Sequence, residues 1–310
     1  ISYLDQDGLI RNTDYQSFST RLMNEFRFLD NRLVIGENFS VSRRTQHTKP
    51  SGIEEHVIAQ HPAIPVYDEN GGYAGVYVGK LCYKPNSIRL TDNIANDKNE
   101  SWRLFGNAYI AITPIKNLTI KSTFGLNYSS GYSSSFVPKW REGSRKNDEN
   151  SLSVSHSNSF NWVWTNTANY NLKLSKHSAS FLLGHEMKKN TSNSFSGSGK
   201  DLGLENIDYR YLSVAEGTKT VTNSASYYAM ISYFAKANYN YDERYLASVT
   251  VRRDASSRFG SKNNYGVFPS FSLGWRISQE NFMKDTKSWL SDLKLRASYG
   301  SIGNQEIDPY

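Results

Sequence analysis

The sequence predicts an all-β chain: an antiparallel, up-and-down transmembrane β-barrel with about eleven strands in residues 1–310. Three observations predict it. Apolar and polar residues alternate with a period of two along most of the chain, Tyr and Trp stand near the ends of the apolar faces, and short links alternate with long polar ones. A β-strand sends successive side chains to opposite faces, so such alternation gives one apolar and one polar face.

The elements follow in chain order. Ile1 to Leu4 reads as a partial first strand, followed by Tyr15 to Phe28 and Leu33 to Arg43. In the latter, Leu33, Ile35, Phe39 and Val41 share a face with Glu37. That carboxylate implies either a membrane interface or a slip of register. Trp102 to Ile112 and Leu118 to Tyr128 come next, the second alternating Leu118, Ile120, Phe124 and Leu126 with Thr119, Lys121, Thr123 and Gly125. Phe160 to Tyr170 and Ser178 to Glu186 follow. Tyr227 to Tyr241 is the clearest run, with Tyr227, Ala229, Ile231, Tyr233, Ala235 and Ala237 on its odd positions. Tyr245 to Arg253, Val267 to Ile277 and Leu293 to Tyr299 complete the set.

The links carry as much information as the strands. Leu29 to Arg32, Pro114 to Asn117, Leu172 to His177 and Asp242 to Arg244 are short; Arg44 to Ser101, Ser129 to Ser159, Met187 to Ala225 and Asp254 to Gly266 are long. This is a meander with tight turns at one rim and long loops at the other, as in outer-membrane barrels. Gln279 to Asp292 departs from it, being long where a short turn is due. A soluble sandwich also alternates. Against it stand runs beyond ten residues, the aromatic ends, and a second face of Ser, Thr, Asn, Gly and Lys suited to a watery lumen.

Composition excludes other classes. Hydrophobic residues are 38% and the mean hydropathy is −0.61; apolar runs such as Ala108 to Ile112 fall far short of the roughly 20 residues of a membrane helix. Cys82 is alone, so no disulfide framework exists within the chain. With 21 Tyr, 15 Phe and 6 Trp the chain is too aromatic to be disordered. The net charge of +7 is spread out, which does not make a nucleic-acid-binding face.

The last third carries a recognisable series: Val251-Arg-Arg-Asp-Ala-Ser-Ser-Arg-Phe-Gly260, then Phe268-Pro-Ser-Phe-Ser-Leu-Gly-Trp-Arg-Ile277, Leu290-Ser-Asp-Leu-Lys-Leu-Arg-Ala-Ser-Tyr-Gly300 and Gly303-Asn-Gln305. Tyr3-Leu-Asp-Gln-Asp-Gly8, Pro65-Val-Tyr-Asp-Glu-Asn-Gly71 and Arg103-Leu-Phe-Gly-Asn107 agree with it. The series resembles the barrel of SusC/RagA-type TonB-linked outer-membrane transporters. Ala255 departs from the family, which commonly has Gly there. The resemblance implies a 22-stranded barrel with an N-terminal plug, energised through TonB and capped by a SusD-like lipoprotein that helps capture glycans or peptides. It places the protein in the outer membrane, in contact with lipid. The expectation is that residues 1–310 form part of that barrel domain, with the plug and remaining strands outside this chain.

Import needs no cofactor and no catalytic residue, and the enzyme-like motifs are weak. Ser291-Asp-Leu-Lys294 spells Ser-x-x-Lys, but Lys294 lies on an alternating strand. Glu54, Glu55, His56 and His61 lack metal-ligand spacing and read as a solvated loop. On the polar face, Lys121, Asn169, Arg276, Lys294 and Arg296 are expected to line the lumen or grip a plug. In the long Gly-rich loop, Tyr67, Tyr73, Tyr77 and Tyr83 are candidates for touching cargo or the lipoprotein, with packing inside the loop as the plainer reading. A passive porin or adhesin barrel is the rival function.

Overall fold

The computed structural model describes residues 1–75, 84–95, 97–260 and 264–307. Its strands are β1 (Ser2–Asp7), β2 (Asp14–Phe28), β3 (Leu33–His47), β4 (Lys98–Ile115), β5 (Leu118–Val137), β6 (Trp140–Glu142), β7 (Arg145–Asn147), β8 (Ser151–Leu174), β9 (His177–Lys200), β10 (Lys219–Tyr241), β11 (Tyr245–Ser256), β12 (Tyr265–Arg276) and β13 (Lys294–Gly300). Two short helices, α1 (Ile53–Ile58) and α2 (Ser87–Ile94), lie in the β3–β4 loop. Eleven strands form one antiparallel sheet in sequence order, with β1 and β13 at its edges; β6 and β7 form a separate hairpin within the β5–β8 loop.

The tight turns are built by local backbone chemistry. Asp242 and Glu243, the central residues of a β-turn closed by Arg244 N donating to Tyr241 O at 2.9 Å, both take positive φ, 53° and 57°, which matches the twist of the flanking strands. Asn117 (φ 71°) and Ser175 (φ 50°) serve the next two turns along this rim. The long Gln279 to Asp292 link is real and contains 3₁₀ turns at Ile277–Gln279 and Asn281–Thr286. Glu280 fastens it to the sheet, accepting from Tyr245 Oη at 2.7 Å and Trp275 Nε1 at 3.0 Å.

The two faces of the sheet differ in shelter. Along β12, Val267, Phe271, Leu273 and Trp275 are exposed while the alternate Ser270, Ser272, Gly274 and Arg276 are half-buried. That is the signature of a sheet curved with its polar face inward. The apolar outer face has no protein cover here: Leu273 is 61% exposed and Phe271 52%. In water such a face is a large unburied patch; in a bilayer it is solvated by lipid.

Two expectations need correction. Pairing is unbroken across β2, β3 and β4 around Glu37, so no register slip occurs; Glu37 stays on the outer face and accepts a hydrogen bond from Asn24 Nδ2 at 2.9 Å. The links Ser129 to Ser159 and Met187 to Ala225 are mostly strand rather than loop. β5 continues to Val137, and β8 and β9 each run 24 residues. A bilayer crossing takes about 9–11 residues, so more than half of each strand stands beyond it on the long-loop side. The apolar alternation gives way to Ser-rich sequence around Ser159 and Ser192, but backbone pairing does not depend on it.

Candidate functional site

The inner face at the level of the apolar band carries the charged groups. Glu25, on β2, pairs with Arg27 at 2.7 Å and accepts a hydrogen bond from Tyr109 on β4. The Tyr109 ring also lies under Lys121 Nζ, 4.1 Å from its centroid. Gly36 lets that ring lie flat on β3, because a Cβ there would meet Tyr109 Cε1 at 2.5 Å. A second network spans β8 to β11. Arg252 Nε pairs with Asp254 at 2.7 Å, and its Nη2 reaches Glu186 at 3.3 Å and buried Ser232 at 2.9 Å. Thr165 donates to Glu186 at 3.3 Å. Strand alternation parts the Arg252-Arg253 doublet. Arg253 goes to the outer face and stacks on Tyr265, 4.3 Å from its centroid, where an interfacial cation is at home.

Lys294 and Arg296 lie on the inner face near the short-turn rim. With Lys173, Asn238, Asn240 and Ser272 they line a cavity of about 860 Å³. Gly274 leaves room for the Lys294 stem, whose Cε would stand 3.2 Å from a Cβ at that site. Arg276, paired across from Lys294, is committed to the rim: it meets Asp292 at 3.3 Å and Glu243 at 3.7 Å. Asn169 is half-buried on the same face, opposite Thr119 and Leu182. Lys121 belongs to the Tyr109 cluster described above.

The described parts of the β3–β4 and β5–β8 loops pack together as a lobe. Arg89, on α2, and Glu142, on β6, are ion-paired with 4% and 1% of their side-chain surfaces exposed. Arg89 stacks on Trp140 at 3.9 Å, and Glu142 also accepts from Asn86 N at 3.0 Å. The Asn86 side chain caps α2 through Ile88 N and Arg89 N and donates to the carbonyls of Val66 and Ala74. Gly75 fits against β6 because a Cβ would clash with the Glu142 carbonyl oxygen at 2.5 Å. The loop candidates divide accordingly. Tyr73 is used in packing, its hydroxyl donating to Asp92 at 3.0 Å; burial, and then this hydrogen bond, raise its pKa. Tyr67 packs beside it at 6.0 Å and keeps half its surface open. Tyr77, Tyr83 and Cys82 lie outside the described residues.

The acidic pair after Ser51 is split between two lysines. Glu54 meets Lys49 and Glu55 meets Lys84, each lysine lowering the pKa of its partner carboxylate. Among the described residues no three His, Cys, Asp or Glu gather as a metal site. Sequence reasoning missed the Glu25 and Glu186 clusters. Alternation could have found their face, but it does not reveal which neighbours on adjacent strands meet. Chemically, these groups can bind and guide a polar solute or hold another polypeptide inside the sheet.

Residues 11–306 match the family model described as TonB dependent receptor-like, beta-barrel. The chain is 29% identical over its whole length to TonB-dependent receptor P26 of Formosa agariphila, covering 31% of that protein. It is 25% identical, over 99% of its length, to TonB-dependent receptor SusC of Bacteroides thetaiotaomicron, covering 32% of it. The RagAB peptide importer in its open-open state superposes with a TM-score of 0.82 at 27% identity, over 99% of this chain and 35% of that one. The chain therefore spans about a third of the length of these relatives.

Proposed function

Because this chain belongs to the TonB dependent receptor-like β-barrel family, we propose that it supplies strands and extracellular loops to a TonB-dependent importer of nutrients in the outer membrane. The cargo would be glycan or peptide oligomers. The relatives are receptors and transporters by name, which supports binding and gated passage rather than bond-breaking chemistry. The observation that carries the reading is the pairing of faces: an uncovered apolar band outside and an ion-paired polar face inside the same strands.

In this reading the long-loop rim is extracellular. The lobe around Arg89 and Glu142 meets cargo and a SusD-like surface lipoprotein. Lys121, Asn169, Lys294 and Arg296 line the path or hold a plug, and Arg276 secures the periplasmic rim. TonB acts through that plug. The similarity to a peptide importer that works as the RagAB pair supports the lipoprotein partner.

The test uses the full-length protein in its outer membrane. Lys294→Glu with Arg296→Glu should reduce uptake or expose the plug to protease, at normal expression. Unchanged uptake rejects the assignment of these residues. Uptake that persists without TonB rejects energy coupling and leaves a passive porin.

A further inference from the structure

Above the apolar band the inner face changes character. Pairing across β5, β8, β9 and β10 aligns Ser135, Ser153, Ser198 and Thr220 in one row. The next row is Ser133, Ser155, Ser196 and Thr222. Below it stand Gly131, Ser157, Ser194 and Ser224, then Ser129, Ser159, Ser192 and Ser226. Four rows of four positions thus carry a hydroxyl everywhere except Gly131, and none is charged. The row beneath continues the neutral surface with Asn127, Asn161, Asn190 and Tyr228.

Neighbouring hydroxyls are within bonding reach: Ser194 and Ser224 at 2.7 Å, Ser196 and Thr222 at 2.7 Å, Ser198 and Thr220 at 2.6 Å. The upper rows line a shallow cavity of about 210 Å³. The opposite face is closed behind the upper two rows, while lower down His156 and Phe195 stay exposed. Leu212 and Ala215, from the β9–β10 loop, pack over Gly197 and Gly199, and Leu152 and Leu202 beneath them are 1% exposed. At the upper rows the hydroxyl face is therefore the one this part of the sheet turns to a solute.

We infer that this array is a binding surface for a neutral, polyhydroxylated chain, that is, an uncharged oligosaccharide. The inference rests on the import reading and selects between its two cargo classes. A Ser or Thr hydroxyl both donates and accepts, so it can pair with a sugar hydroxyl in either sense. The strand and pleat spacings repeat these groups about every 4.8 Å across and 6.7 Å along the sheet, so a chain can shift from one set to the next. A peptide finds less. Its usual handholds are a free strand edge, charged groups for its termini and an apolar groove. The backbones of β8 and β9 are paired on both sides, and the array has neither charge nor apolar side chain; β10 above Met230 has β9 as its one sheet partner among the described residues, so a peptide strand could add only at that edge, beside the array rather than across it. Charged cargo finds its partners lower down, at Glu186, Arg252 and Asp254.

The experiment uses purified full-length transporter with its lipoprotein. The probes are neutral dextrin, mannan and xylan fragments, uronate-bearing fragments and a mixed peptide digest. The variant replaces Ser155, Ser157, Ser194 and Ser196 by Ala; a second replaces the same four by Thr. The Ala variant should bind its best neutral fragment about tenfold more weakly, since several modest hydrogen bonds are lost. The Thr variant should restore binding, and peptide binding should not move. Equal sugar affinity in the Ala variant overturns the inference, as does a wild-type protein that takes peptides and no neutral fragment. Loss of the lipoprotein from the Ala variant with sugar binding intact also overturns it, assigning the array to the partner. Uptake measured without TonB separately tests the import reading.

Discussion

Strands β8 and β9 each pass through two settings, and their sequences change between them. From Phe160 to Leu174, and across the turn from His177 to Met187, large apolar side chains such as Trp164, Leu183 and Phe181 face outward with no protein over them. From Ser151 to Ser159, and from Ser192 to Lys200, the far outward positions Leu152, Val154, Gly197 and Gly199 are covered by a folded-back loop, and His156, Asn158, Asn193 and Phe195 come between them and the apolar band. The inner face changes too, from ion-paired side chains to hydroxyls. One ladder of backbone hydrogen bonds serves both settings. The difference teaches that the outer side chains report the solvent outside the strand, lipid or a protein loop, while the strand itself persists by pairing.

The largest effect expected from breaking this comparison lies in the loop lobe. Glu142→Ala leaves the Arg89 guanidinium buried and unpaired, which costs about 3–5 kcal/mol. Protease should then cut between residues 48 and 75 while the barrel keeps its heat-resistant mobility on a gel. An uncut loop would show that the ion pair does not hold the lobe.

A matched pair of substitutions sharpens the contrast between settings. Val249, 52% exposed on the outer face of β11, lies midway along the apolar band. Val249→Arg should destabilise the full-length barrel by about 2–4 kcal/mol in liposomes, as a cation near the bilayer midplane does. Asn223→Arg, on the outer face of the β10 extension, should stay within about 0.5 kcal/mol. Urea unfolding of both variants decides it, and equal costs would break the division between lipid and loop settings.

The smallest effect is one of pH. Asp97, at the foot of β4, has its pKa raised chiefly by burial, against the lowering effect of hydrogen bonds from Ser135 and Phe136 N. A raised carboxyl binds its proton more tightly in the folded lobe than in the unfolded chain. Its stabilising contribution is therefore full below the unfolded pKa of about 3.9 and is lost as pH rises through the raised folded value. Hydrogen exchange at Phe136 should quicken slightly across that window, and Asp97→Asn should flatten the response. A slowing of exchange as pH rises would reverse the sign and refute the account.

Alternation and the Arg-Arg-Asp to Phe-Gly series made the barrel segment legible, with its meander order and its two rims. They also put Lys121, Asn169, Arg276, Lys294 and Arg296 on one face, because strand periodicity is a local property. They misjudged the ends of β5, β8, β9 and β10, since Ser- and Thr-rich extensions lack the apolar face by which strands are read. Tyr73 shows the same limit at a single residue: as loop sequence it is equally fit for cargo or packing, and its bond to Asp92, 19 residues on, assigns it to packing.

What the sequence determined by itself is therefore periodic: which side chains share a face, where lipid begins, and where the chain turns back. What only the tertiary structure decided is lateral: that Arg252 meets Glu186, that Arg89 meets Glu142 and that four serine-rich strands fall into register. Such contacts join residues tens of positions apart, and their geometry is set by strand register and loop docking, which no single strand encodes.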